Sequence, residues 1–398
     1  MAGRLALRSA EPTAVQVFLG STTASLNLKR NAGGNATPLG SIKTEADLTE
    51  ITLPTILYRM IFKGYYNRMH ELQLYERQLY GPMFKVRGGN THVISLNSVE
   101  LLEELMRKDD KFPSRGDMTL WTEYRDMNGL GYGPITEEGE KWYKLRLVLN
   151  KHMLHPKDSV QYENMINEVV TDFIKRVYHL RKMSSTGDLV PNMSNEMYRF
   201  TLEAWWWECL WGILKRKVEQ HKVSNIHQFC DVIMEEWKRT PVATCEALTS
   251  NTMMWALYLL SQDPKAQETL YQEVNSIIKG DKVPTAEDIN SMPYLKSVIK
   301  ETLRMYPVVP MNSRLLSEND VIIGGHFFPK KTTFIMNHYA ISHDETVFPE
   351  PRVFKPERWL RDGRERPIPF GSIPFGFGVR GCVGKRIAEL EMHLALAR

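Results

Sequence analysis

Apolar residues in this chain recur mostly every three to four positions, the spacing of amphipathic helices, and alternate as in strands only over short stretches. Thr44 to Gln78 reads as helical. Its most apolar part, Ile51 to Phe62, is interrupted by Pro54 and Arg59 and is too short to cross a membrane, so it predicts a surface helix able to touch a bilayer. MFKVRG and THVISL flank GGN and predict a hairpin. SVELLEELMRK follows as a helix with Ser98 as its N-cap. Beyond a glycine- and proline-marked loop from Pro113 to Pro134, TEEGEKWYKLRLVLNKHML, QYENMINEVVTDFIKRVYHLRKM and MSNEMYRFTLEAWWW each predict a helix.

In the second half, Gln267 to Lys279 predicts an amphipathic helix closed by Gly280. SMPYLKSVIKETLRMYP predicts another, with Ser291 as cap, Pro293 in the first turn and Pro307 as the stop. VIIGGHFFPKKTTFIMNHYAIS is rich in β-branched and aromatic residues and predicts short strands. A long loop punctuated by proline and glycine runs from Phe348 to Gly378, and VGKRIAELEMHLALAR restarts a helix directly after Cys382. The expected fold class is mainly α with small β-sheets, and an irregular stretch of this length points to function.

Charge changes this picture little. Lysine and arginine number 51 against 47 acids, a net charge of +4, which gives no electrostatic footprint for nucleic acid. The cysteines Cys209, Cys230, Cys245 and Cys382 form no CxxC pair, which argues against a disulfide framework or a zinc site and for reduced thiols inside a cell. Residues 1–35 are different: Arg4, Arg8, Lys29 and Arg30 face a single acid, Glu11, among many Ser, Thr, Ala, Gly and Asn residues. That composition predicts an organelle transit segment.

A cysteine at a helix entrance feels the positive end of the helix dipole, which favours the thiolate. Gly376, Gly378, Gly381 and Gly384 leave little bulk around Cys382, so a wide, flat group can approach the backbone. Arg380 offers a cation to an anionic edge. A haem meets all three conditions, and a plain packing cysteine is the competing reading of the chemistry alone.

The full pattern Phe375-x-x-Gly378-x-Arg380-x-Cys382-x-Gly384 resembles the haem-thiolate signature of the cytochrome P-450 family at every fixed position. The resemblance extends upstream. Glu301 and Arg304 in KETLRMYP, with Arg358 in FKPERW, look like the family's buried Glu–Arg–Arg cluster. Trp142 and Arg146 in EKWYKLRLVL resemble the helix pair that meets a haem propionate, and Arg314 in MNSRLL looks like another propionate partner. YGPITEEGEKWYKLR, TSNTMMWALYLLSQDP, IKETLRMYPVVPMNSR and RIAELEMHLALAR are most similar to the mitochondrial branch, and within it to the sterol side-chain hydroxylases.

That resemblance implies haem bound through Cys382, hydroxylation of a sterol side chain with molecular oxygen, and electrons from an adrenodoxin-like ferredoxin. Lys296, Lys300, Lys385 and Arg386 match the family's docking face for this acidic partner. Met118, Leu120, Trp121, Val308, Val309 and Asn312 match substrate-facing positions. A mitochondrial location on the matrix side of the inner membrane, with peripheral membrane contact, follows from the same branch. Vitamin D or retinoid oxidation by the same chemistry is an alternative.

Two departures qualify the carry-over. The family's oxygen-activation helix carries Ala/Gly-Gly-x-Asp/Glu-Thr-Thr, where this chain has ATCEALTSNT. The resemblance puts Ala247 at the acid position and Leu248 at the alcohol position, and neither relays a proton. Glu246 and Thr249 are neighbouring substitutes, each turned away by about 100° for one residue along a helix. Slow turnover with leakage to peroxide is the expected consequence. In addition, 204–248 is far shorter than the family's segment and holds an atypical run with Trp205, Trp206, Trp207 and Trp211. The chain also stops before the family's C-terminal strands. The expectation is therefore a cytochrome P-450 fold over 36–398 lacking several central helices and the C-terminal strands. A catalytically impaired haem-binding splice or truncation product is the rival functional reading.

Overall fold

A computed structural model describes residues 43–129, 132–155, 160–205, 242–360 and 368–398. Strands β1 (Lys43–Thr44), β2 (Glu50–Thr52), β3 (Met83–Gly88) and β4 (Thr91–Leu96) are interleaved with helices α1 (Leu53–Phe62), α2 (Met69–Tyr80) and α3 (Val99–Arg107). A helical stretch follows: α4 (Thr119–Met127), α5 (Gly139–Met153), α6 (Glu163–Met183), α7 (Met193–Trp205), α8 (Val242–Gln262), α9 (Pro264–Ile277), α10 (Ala286–Asn290) and α11 (Pro293–Met305). Strands β5 (Asn312–Leu316), β6 (Val321–Ile323), β7 (His326–Phe328) and β8 (Thr332–Met336) then lead to α12 (His338–Ser342) and α13 (Lys385–Leu396).

The strands make two small sheets, ordered β2-β3-β4-β8-β5 and β1-β7-β6. The expected hairpin forms, with Met83 opposite Leu96 and Gly88 opposite Thr91. Thr44 to Thr52, expected as helix, holds only a single 3-10 turn over Glu45–Asp47 between two short strands, because β1 pairs with β7 and β2 with β3. Pairing with strands distant in sequence overrides the local preference there. Ser98 caps α3 as expected, its hydroxyl accepting from the Leu101 amide. Ser291 does not cap α11. The amides of Tyr294 and Leu295 instead donate to the two carboxylate oxygens of Glu273 on α9, each at 2.8 Å. The loop expected from Pro113 to Pro134 contains α4.

Two large apolar clusters dominate the described interior, beside a small one around Met153 and Ile387. One joins Ile166 and Val170 of α6, Phe200 of α7, Met253 of α8, Leu295 and Val298 of α11, and Met392 of α13. The other packs Leu102 and Leu105 of α3 against Ile94, Leu96, Phe328, Phe334 and Met336 of the sheets. Both clusters take up residues of the irregular chain between α12 and α13, Leu360 and Phe375 in the first and Phe370 and Ile373 in the second, and a buried polar knot pins its start.

Glu301 and Arg304 on α11 are both fully buried. Arg304 Nε and Nη2 donate to the Glu301 carboxylate at 2.9 and 2.8 Å, and Nη1 donates to Ser342 O at 2.8 Å. Arg358 Nε reaches the same carboxylate at 2.9 Å while its Nη1 holds Pro349 O at 3.0 Å. Trp359 Nε1 and the Lys355 amide complete the shell at 2.8 and 3.2 Å. One carboxylate thus fixes the turn over 355–359, and with it the start of the segment that leads to Cys382. Removing one partner of a buried pair leaves an uncompensated charge. Arg358→Ala is expected to lower unfolding stability by about 3–5 kcal/mol, read from the urea midpoint. A loss no larger than that of an exposed arginine variant would contradict this role.

Candidate active site around Cys382

The chain turns tightly before Cys382. Gly376 (φ 70°) and Gly378 (φ 69°) adopt left-handed backbone that favours glycine, and the Cys382 amide donates back to Phe375 O at 2.7 Å. Gly384 sits at the N-cap of α13 with φ −82°. The glycines at 376 and 378 are therefore demanded by the turn itself rather than by clearance for a flat ligand. The Cys382 side chain is reached by solvent yet crowded by protein, so it opens into a recess rather than onto the outer surface.

Burial pushes the Cys382 thiol up, against the amides of Gly384 and Lys385 and the charges of Arg146 and Arg115, which pull it down. The helix entrance does favour the thiolate, as the sequence suggests, but loss of solvation outweighs it. A bound metal ion reverses that balance, because a coordinating thiol is deprotonated outright.

Four arginines converge on this recess. Arg146 on α5 donates from Nη1 to Gly381 O at 2.8 Å and from Nε to Asn150 at 3.0 Å. Arg380, two residues before the cysteine, spends three donors on backbone carbonyls: Pro113 at 2.7 Å, Pro134 at 3.3 Å and Glu137 at 3.0 Å. It therefore clamps the loops flanking α4, and its guanidinium lies 4.1 Å from the Trp142 ring centroid. Arg314 on β5 directs Nε to Asp109, 3.1 Å from both oxygens, and Nη1 to Ser313 O at 3.2 Å.

The fourth, Arg115, was not singled out by the sequence. Its placement depends on tertiary pairing: Ser114 bridges to Leu315 of β5, and Ser313 Oγ donates to Arg115 O at 2.6 Å. That staple brings Arg115 into the electrostatic range of Arg314, Arg146 and Cys382. Its buried Nε has no hydrogen-bond partner among the described residues, and neither does Nε1 of Trp142, which is wholly buried. Burial pulls the Arg115 guanidinium down to about 10, and burial with the neighbouring Arg115 charge pulls Arg380 down to about 9. Both remain cationic at neutral pH. His338, buried near Arg314, is driven down to about 4 and stays neutral.

A buried guanidinium without an anion is unfavourable unless a ligand supplies one. Arg115 and Trp142, with the half-committed Arg146 and Arg314, fit the two carboxylates of a haem whose iron faces Cys382. This makes opposite predictions for one variant. Arg115→Met is expected to stabilise the haem-free protein, by up to about 1–4 kcal/mol. It is also expected to speed haem loss about ten- to a hundredfold, as the loss of a charged hydrogen bond implies. Unchanged haem retention would remove Arg115 from the site.

The remaining expected site residues fall into separate groups. Lys296, Lys300, Lys385 and Arg386 gather around Glu389, whose carboxyl is pushed up by burial against their combined pull. Leu120 and Trp121 on α4 and Val309 after α11 are exposed, whereas Met118, Val308 and Asn312 are half-buried. Thr249 on α8 is 5% exposed. The side chains of Glu246 and Ala247, the segment 1–35 and the tryptophans Trp206, Trp207 and Trp211 lie outside the described residues.

Comparison with known proteins gives the chain's family. The family Cytochrome P-450 matches residues 52–244 and 247–398, so the match is interrupted at Cys245 and Glu246, within the altered oxygen-activation stretch. The mitochondrial sterol 26-hydroxylase of Rattus norvegicus is 36% identical over 426 residues, covering 86% of this chain and 80% of the relative. The Homo sapiens enzyme of the same name is 36% identical with the same shares covered. The mitochondrial 25-hydroxyvitamin D-1 alpha hydroxylase of Homo sapiens is 31% identical, covering 89% of this chain and 85% of the relative. The first alignment is longer than the 398-residue chain, so that relative has residues without a counterpart here. The chain belongs to the cytochrome P-450 family of monooxygenases, in which a cysteine thiolate ligates the haem iron.

Proposed function

We propose that this chain is a haem-thiolate monooxygenase that hydroxylates a sterol side chain, with Cys382 as the axial ligand and electrons from an adrenodoxin-like ferredoxin. The surplus of buried guanidinium beside the recessed Cys382 carries the haem assignment, and the names of the sterol 26-hydroxylase relatives carry the substrate class. When bound, the haem supplies activation of molecular oxygen for insertion into a C–H bond. Arg115, Arg146, Arg314 and the Trp142 indole hold its carboxylates, while Arg380 and Glu301 hold the loops that present the cysteine. Phe375 ties the turn to the helical core through its ring and to Cys382 through its carbonyl.

The basic face formed by Lys296, Lys300, Lys385 and Arg386 lies on α11 and α13, close in sequence to the cysteine loop, and suits an acidic electron donor. Its charge is partly offset by Glu389, so it steers a partner without the repulsion of four bare cations. Leu57, Tyr58, Ile61 and Phe62 expose an apolar face on α1, which supports peripheral contact with the inner mitochondrial membrane. No helix among the described residues is long and apolar enough to cross a membrane.

Oxygen reduction needs protons delivered within hydrogen-bond reach. Leu248 is half-buried and has no proton to give, and Ala247 has none either. Thr249 is buried and stands one residue along α8, so it offers a hydroxyl only on an adjacent face. The reading is therefore a slow, weakly coupled hydroxylase. With reduced ferredoxin and a sterol, most oxygen consumed is expected to return as hydrogen peroxide. The double variant Ala247→Asp, Leu248→Thr is expected to raise product formed per oxygen at least about tenfold. Efficient coupling in the unaltered chain would refute the impaired relay, and product from a secosteroid but not a sterol would favour the vitamin D reading.

A further inference from the structure

Among the arginines around Cys382, Arg314 alone is hydrogen-bonded to a carboxylate of a described residue. Asp109 and Asp110 leave the end of α3 side by side and both reach across to the β5 segment. Asp110 accepts from the amide and hydroxyl of Ser317 at 2.7 and 3.1 Å, which fixes the backbone. Asp109 instead takes the Nε of Arg314, with a side chain only 12% exposed. It also abuts the cysteine turn: a Cβ placed on Gly378 would stand 3.9 Å from Asp109 Oδ2, and Arg380 lies within its electrostatic range.

Arg314 is thereby divided. Its Nε and Nη1 are held by protein, and the hydrogen bonds it makes to described residues leave Nη2 free to turn to a ligand. We propose that Asp109 is a positioning residue that orients Arg314 toward the haem edge and offsets part of its charge, and so sets the reduction potential of the haem iron. The proposal rests on the haem reading above. A carboxylate this little hydrated, paired with a guanidinium that would hold a haem carboxylate, is only weakly screened. Reduction adds one electron to the iron, and the negative charge of Asp109 opposes it. Arg314 favours it, and pairing the two mutes that preference.

Three substitutions separate charge from orientation. Asp109→Asn keeps an acceptor for Arg314 Nε and removes the charge, so the ferric–ferrous midpoint is expected to move to a more positive potential with haem content unchanged. Asp109→Glu restores the charge and is expected to return the midpoint close to that of the unaltered protein. Asp109→Ala loses both functions and is expected to show the positive shift together with faster transfer of haem to apomyoglobin. The measurement is a spectroelectrochemical titration of the purified haem-loaded protein at low and high salt, with urea midpoints recorded for each variant. A shift that persists in high salt and does not follow the urea midpoint supports the proposal. An unmoved midpoint in Asp109→Asn with haem retained overturns it. Absence of haem from the unaltered protein would instead overturn the haem reading itself.

Discussion

Three buried arginines and the half-buried Arg115 gather near one cysteine, and only one of the four is hydrogen-bonded to a carboxylate among the described residues, which leaves positive charge incompletely neutralised. In a recess of low polarity this arrangement is unfavourable without an anion, and much of the surrounding structure exists to hold it in place. Arg380 is pinned by three carbonyls, Arg146 by Gly381 O and Asn150, and Arg314 by Asp109. Arg115 is carried in by a loop stapled to β5. A dicarboxylate ligand with a metal for the thiol resolves the imbalance at every point.

The same logic, inverted, governs the knot at Glu301. There a single buried carboxylate is shared by two guanidiniums, an indole and an amide, and the remaining guanidinium donors close on carbonyls of the following chain. Saturation makes that centre structural. On the haem reading, the incompletely satisfied centre at Cys382 is the one that binds. Both contain arginines separated widely in sequence, and what distinguishes them is whether the protein itself supplies the counter-charge.

Much of this was legible in the chain. The helical spacing, the hairpin around GGN and the Ser98 cap are local signals and formed as read. The cysteine motif and Glu301, Arg304 and Arg358 were legible because their types and spacing recur as a family pattern. Arg115, Asp109 and Glu389 carried no such signal, since their meaning comes from strand pairing and helix packing that join distant segments. Residues near Thr44 became extended for the same reason, and Ser291 lost its capping role to Glu273 from another helix. The helix entrance acts on Cys382 in the expected direction, but desolvation, which only the assembled recess reveals, outweighs it.

The central claim is that Cys382 and the guanidinium recess together bind haem through a thiolate. The absorption spectrum of the purified, reduced and carbon-monoxide-treated protein tests it most directly. The account predicts the red-shifted Soret band of thiolate ligation, lost in Cys382→Ala while that variant remains folded. A haem spectrum identical in the two proteins, or no haem in the unaltered one, would contradict it.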